Sequence, residues 1–100
     1  MPIPLLETTF ARLSNDKRLR VARLGAGPPL VLLHGYPENL QLWCRLAPLL
    51  ARRYEVVAFD WLGQGSSDEW PGGATPQLLA RRLLTILDEL QVERDAAGLI

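Results

Sequence analysis

Leu30-Val31-Leu32-Leu33-His34-Gly35-Tyr36-Pro37-Glu38 is the stretch whose reading decides the fold. Four consecutive apolar residues stop abruptly at His-Gly. A run this short, apolar on both faces, predicts a strand over 30–33 with helices packed above and below it. Gly35 permits a tight turn and a close approach of backbone to a ligand. Pro37 has no N–H of its own and biases Tyr36 toward extended geometry. The amide of Tyr36 is therefore the donor that such a turn would aim into a cleft.

The neighbouring sequence repeats the pattern. Tyr54-Glu55-Val56-Val57-Ala58-Phe59 predicts a second buried strand over 54–59. It ends at Asp60 in a loop that holds Gly63, Gly65, Gly72, Gly73, Trp61 and Trp70. Between the two strands, Leu42, Trp43, Leu46, Leu49 and Leu50 fall near helical spacing, which predicts a helix over 40–52. Pro48 removes a backbone donor and clashes with the preceding turn, so a kink or restart is expected there.

Thr75-Pro76 opens a further helix, with Thr as the cap and Pro at the first helical position. Leu79, Leu83, Ile86, Leu87 and Leu90 mark its apolar stripe, and Arg81, Arg82, Asp88 and Glu89 are expected to flank or oppose it. Residues 97–100 read as the start of another strand. Upstream, residues 7–13 and 18–23 read as two strands joined by the turn-forming Ser14-Asn15-Asp16-Lys17. They are expected to form an edge hairpin with one wet face, followed by the breaker Gly25-Ala26-Gly27-Pro28-Pro29. Strand, helix, strand, helix, strand implies right-handed crossovers and a parallel sheet. The hairpin makes that sheet mixed, so the expected class is α/β.

Composition excludes several classes. The chain has 100 residues, 48% hydrophobic and 22% charged, with eleven basic and eleven acidic side chains that cancel. That is ordinary for one small globular unit. It lacks the sustained positive field that nucleic acid or an anionic membrane requires. Lys17, Arg18, Arg20, Arg81 and Arg82 are expected on solvated faces. The single cysteine, Cys44, precludes an intrachain disulfide and reads as a packed side chain. The N-terminus lacks the basic region and continuous apolar core of a secretory signal, and no apolar run reaches membrane-spanning length. A cytoplasmic location is the expectation.

Chemistry in open parallel sheets collects where strands end. Two such ends are visible. At the first, the Tyr36 amide is the candidate for stabilising a developing oxyanion. His34 invites a catalytic reading, but no Ser, Asp or Cys completes a triad spacing around it; bracing of the loop by hydrogen bonding is expected instead. At the second end, Asp60 is able to accept backbone N–H groups, and Ser66 and Ser67 read as turn hydroxyls. Nucleotide binding is not supported. Gly25-Ala26-Gly27 precedes a strand, and Gly63-Gln64-Gly65 has Asp68 where a third glycine belongs. One His and one Cys give no metal-ligand spacing, so neither cofactor nor metal is expected.

Leu33-His34-Gly35-Tyr36-Pro37-Glu38-Asn39 followed by Trp43 is similar to the HGxP-type opening of epoxide hydrolases and haloalkane or haloacetate dehalogenases. Phe59-Asp60-Trp61-Leu62-Gly63-Gln64-Gly65-Ser66-Ser67 resembles the D-x-x-G-x-G-x-S turn shared across the α/β-hydrolase superfamily. The two motifs stand in the right order, each after a buried strand. The resemblance runs from Thr8 onward. It implies the N-terminal part of an α/β-hydrolase fold, with residues 1–100 forming a single incomplete domain that ends before the nucleophile elbow. It carries over Tyr36 as the oxyanion-hole amide, with His34, Gly35, Pro37, Asp60, Gly63 and Gly65 as supports.

The same resemblance implies a small organic substrate bearing an ester, an epoxide or a carbon–halogen bond. It puts the nucleophile, the acid and the catalytic histidine beyond Ile100. An aspartate and a serine nucleophile both remain open. The chain alone is expected to be inactive. The alternative is a non-catalytic remnant or binding module that keeps the sheet without the triad.

Overall fold

The protein is described by a computed structural model covering residues 4–34, 39–61, 67–68, 75–92 and 98–99. Its elements are β1 (Thr9–Arg12), β2 (Arg18–Leu24), β3 (Pro29–Leu32), a 3₁₀ turn (Leu40–Trp43), α1 (Ala47–Leu50), β4 (Glu55–Phe59), α2 (Pro76–Glu89) and β5 (Gly98–Leu99). The five strands form one sheet in the order β1-β2-β4-β3-β5. β3 pairs in parallel with β4 and with β5, so the expected parallel centre is present. The hairpin is antiparallel, with Thr9 opposite Val21. β2 is not an edge strand. It also pairs antiparallel with β4, Val21 opposite Phe59, and only β1 lies outside it.

The alternation of side chains sorts the core into two layers. On one face Leu19, Val21, Val31, Val57 and Phe59 pack against Ile86, Leu87 and Val92. On the other Ala22, Leu32, Val56 and Ala58 pack against Leu6, Leu40 and Ala47. Burial on both faces is why β3 and β4 are continuous apolar runs. The N-terminal arm is seated on the second face by Gln41, whose side-chain amide accepts from the Leu6 N–H at 2.8 Å and donates to the Leu6 carbonyl at 3.0 Å.

Two helical expectations change. The helix predicted over 40–52 is two short pieces, the 3₁₀ turn and α1. Asn39 caps the first through its side chain, which accepts from the Gln41 N–H at 2.8 Å. Pro48 stands in the first turn of α1, where its missing N–H costs nothing, so the restart falls where proline demands it. In α2, Thr75 caps the start by accepting from the Leu78 N–H at 3.2 Å. Arg82 does not oppose the apolar stripe. It is 7% exposed. It lies one turn before Ile86 and so shares its face, where an arginine stem can be covered by apolar neighbours.

Candidate active site at the strand ends

β3 and β4 run side by side and end together, and each is followed by one of the two motif residues. His34 follows β3 and Asp60 follows β4. Both are buried, His34 at 4% and Asp60 at 0% exposure. Tyr36, Gly35, Pro37, Gly63 and Gly65 lie outside the described residues, as does Ser66. What the structure describes is how His34 and Leu40, the residues on either side of 35–39, are held.

At the entrance to that loop, the Trp61 N–H donates to His34 Nε2 at 2.9 Å, and the Trp61 indole Nε1–H donates to the His34 carbonyl at 3.1 Å. The two residues therefore exchange hydrogen bonds, side chain to backbone in each direction. The Trp61 ring is fixed further by an edge-on contact with Phe59, 5.3 Å between centroids and 82° between planes. At the exit, the Leu40 N–H donates to Asp60 Oδ1 at 2.7 Å. This N–H belongs to the first residue of the 3₁₀ turn, one of the donors that a helix start leaves without an internal partner. Consecutive residues at the end of β4 thus grip the two residues that bracket 35–39.

A third layer supports Asp60. Arg20 Nη1 lies 3.5 Å from Asp60 Oδ2. The Asp60 N–H donates to the Arg20 carbonyl at 3.0 Å, extending the β2–β4 ladder by one residue. The Arg20 N–H donates to Ser67 Oγ at 2.9 Å, and Arg20 Nε donates to Thr8 Oγ1 at 3.3 Å. Arg18 continues the pattern: its N–H donates to Asp68 Oδ2 at 2.8 Å, and its carbonyl accepts from the Asp68 N–H at 3.0 Å. The Arg18 backbone N–H, and then its side chain, hold the Asp68 carboxyl below its ordinary value.

Arg20 is therefore no solvated hairpin cation. It is 20% exposed in its side chain and faces a fully buried carboxylate. Sequence reading missed Arg20, Leu40 and Trp61 as parts of this site. The signal that finds Arg20 is the strand register: with Val21 opposite Phe59, the next residues outward are Arg20 and Asp60. Ser67, expected as a turn hydroxyl, instead accepts from the Arg20 N–H on the strand beside it. Among the described residues, no three His, Cys, Asp or Glu side chains gather as a metal site. No helix among them is long and apolar enough to cross a membrane.

Both the order of the elements and the pair of strand-end residues define an α/β-hydrolase half-sheet. A family model described as the alpha/beta hydrolase fold matches residues 28–94, and the chain belongs to that family. It is 56% identical over 50 residues to a fluoroacetate dehalogenase from a Burkholderia species, a stretch that is 50% of this chain and 16% of the relative. It is 31% identical over 80 residues to a soluble epoxide hydrolase from Corynebacterium sp. (strain C12), covering 80% of this chain and 28% of the relative. The structure of a proposed epoxide hydrolase from Pseudomonas aeruginosa superposes with a TM-score of 0.76 at 43% identity, over 94% of this chain and 33% of that one. The chain thus spans about a third or less of the proteins it matches.

Proposed function

We propose that this chain supplies the oxyanion side of a hydrolase active site acting on a small organic substrate with an ester, epoxide or carbon–halogen bond. The observation that carries the reading is the double grip of Asp60 and Trp61 on Leu40 and His34. A donor that stabilises developing negative charge must be fixed before the reaction begins. Hydrogen bonds that hold His34 and Leu40, the residues on either side of 35–39, support that requirement. Tyr36 lies between the anchors, and its amide is the assigned donor. Gly35, Pro37, Gly63 and Gly65 are assigned as its supports on the resemblance of the two motifs.

The choice of substrate class rests on the dehalogenase and epoxide hydrolase relatives and on the HGxP pattern. The chain by itself is assigned no turnover. Its single histidine is buried and its Nε2 is engaged by the Trp61 amide, which leaves no general base for a Ser-His or Asp-His mechanism. Residues 1–100 are accordingly assigned as one part of a larger catalytic domain.

The test is a chimera. Residues 28–92 replace the matching segment of the Burkholderia fluoroacetate dehalogenase, and fluoride release and epoxide hydrolysis are followed. Turnover is expected, and Tyr36→Pro, which deletes the amide N–H, should lower kcat by about 10²–10³-fold with KM little changed. Undiminished turnover by the Tyr36→Pro chimera would overturn the assignment. A folded but inactive parent chimera would favour a non-catalytic remnant.

A further inference from the structure

We propose that Arg20, on β2, is a positioning residue for the oxyanion loop, acting through Asp60 on the Leu40 amide. The inference rests on the reading of residues 35–39 as that loop, but the geometry behind it lies wholly in the described residues.

A carboxylate with no solvent exposure is costly unless paired and hydrogen-bonded. Asp60 meets both conditions with partners from two different elements. Oδ1 accepts from Leu40 at the loop exit, and Oδ2 faces the Arg20 guanidinium. The two oxygens divide the work. The guanidinium holds Oδ2, which keeps Oδ1 aimed at the Leu40 N–H, and a charged oxygen is a strong acceptor. Without the guanidinium, Oδ2 loses its charged partner and the carboxylate is free to turn away from Leu40. That rotation weakens the grip on Leu40.

Arg20 is itself fixed by more than this pair. Its N–H and C=O are bound by Ser67 Oγ and the Asp60 N–H, and its Nε reaches Thr8 Oγ1. One residue therefore touches Thr8 before β1, Asp60 at the end of β4, and Ser67. Through Asp60 these contacts reach Leu40, the residue that follows 35–39. The hairpin in front of the sheet is then part of the active-site framework rather than a decoration on its edge.

Hydrogen exchange and arginine NMR on the 100-residue chain test this without any assay of activity. Arg20→Met keeps the stem and removes the charge. It is expected to reduce protection of the Leu40 amide by about tenfold or more, the loss expected when a charged hydrogen bond weakens. Val31 and Val57, in the central strands, should keep theirs. Arg20→Lys should restore most of the Leu40 protection. In the unsubstituted chain, the Arg20 guanidinium protons should be resolved and slow to exchange. The proposal is overturned by unchanged Leu40 protection in Arg20→Met, by an equal loss at Leu40 and Val57, or by failure of Arg20→Lys to rescue. If Arg20→Met does not fold, a rapidly rotating, averaged Arg20 guanidinium in the unsubstituted chain overturns it. Failure here would leave the chimera result untouched, and an inactive chimera would leave this result untouched.

Discussion

Asp60 Oδ1 and the Leu40 nitrogen are 2.7 Å apart, and both groups are buried. Twenty positions separate them in the chain, so the bond joins the end of one central strand to the end of the loop that leaves the other. Removing the carboxylate takes the acceptor from the Leu40 N–H and the charged partner from Arg20 Nη1. Asp60→Ala is expected to cost about 3–5 kcal/mol, as for other broken buried pairs. Asp60→Asn keeps an acceptor for Leu40 and should cost about 1–2 kcal/mol. Denaturant unfolding with an unchanged m-value is the measurement. Equal losses for the two variants would contradict the division of labour between the two oxygens.

His34 and Trp61 supply the other anchor, and their exchange of bonds makes a distinct prediction. His34→Ala leaves the Trp61 N–H without its acceptor and is expected to cost about 1–3 kcal/mol. His34→Gln places an amide oxygen within reach of the same N–H and should recover part of that loss. Trp61→Phe keeps an aromatic ring beside Phe59 but deletes the indole donor to the His34 carbonyl, a smaller loss of about 0.5–1.5 kcal/mol. The ranking of the three by thermal unfolding checks the geometry.

The central sheet was legible in the sequence because burial on both faces writes itself as unbroken apolar runs at Leu30–Leu33 and at Val56–Phe59. The caps were legible for a similar reason: Thr75-Pro76 has one sensible role. Arg20 was not legible. Its placement depends on β2 pairing with β4 across a separation of some forty residues, and a charged residue in a hairpin reads locally as a solvent-facing one. Arg82 misled for the opposite reason, because charge suggested the outer face while its spacing from Ile86 put it on the inner one. Of the site, both anchors fall on residues the sequence singled out, His34 and Asp60. Their partners Leu40 and Trp61 carry no chemical signature of their own.

Gly25 offers a test of how the chain passes from β2 to β3. Its φ is +82°, and a Cβ built there would sit 2.6 Å from the Ala51 carbonyl oxygen and 2.8 Å from the Ala51 Cα. Both obstacles are backbone and neither can rotate away. Gly25→Ala therefore combines left-handed strain of about 1–2 kcal/mol with a clash that requires movement of the segment after α1. A total near 3 kcal/mol is expected, which lowers the melting temperature by roughly 4–8 °C per kcal/mol in a domain of this size. A variant melting with the parent would mean that the connection runs elsewhere.

Asp68 makes the acid limb of stability testable. Its carboxyl is held low first by the Arg18 backbone N–H and then by the Arg18 side chain. A lowered folded value means that the unfolded chain binds the proton more tightly, so the contribution is fully present above the ordinary value of 3.8. It is lost as pH falls through the lower folded value. Asp68→Asn should therefore narrow the gap between stability at pH 6 and at pH 3, with the variant's curve the flatter of the two. Because the pair is largely open to solvent, the difference should shrink further as salt is added. A variant whose acid limb stays as steep as the parent's would show that Arg18 does not grip Asp68 in the folded chain.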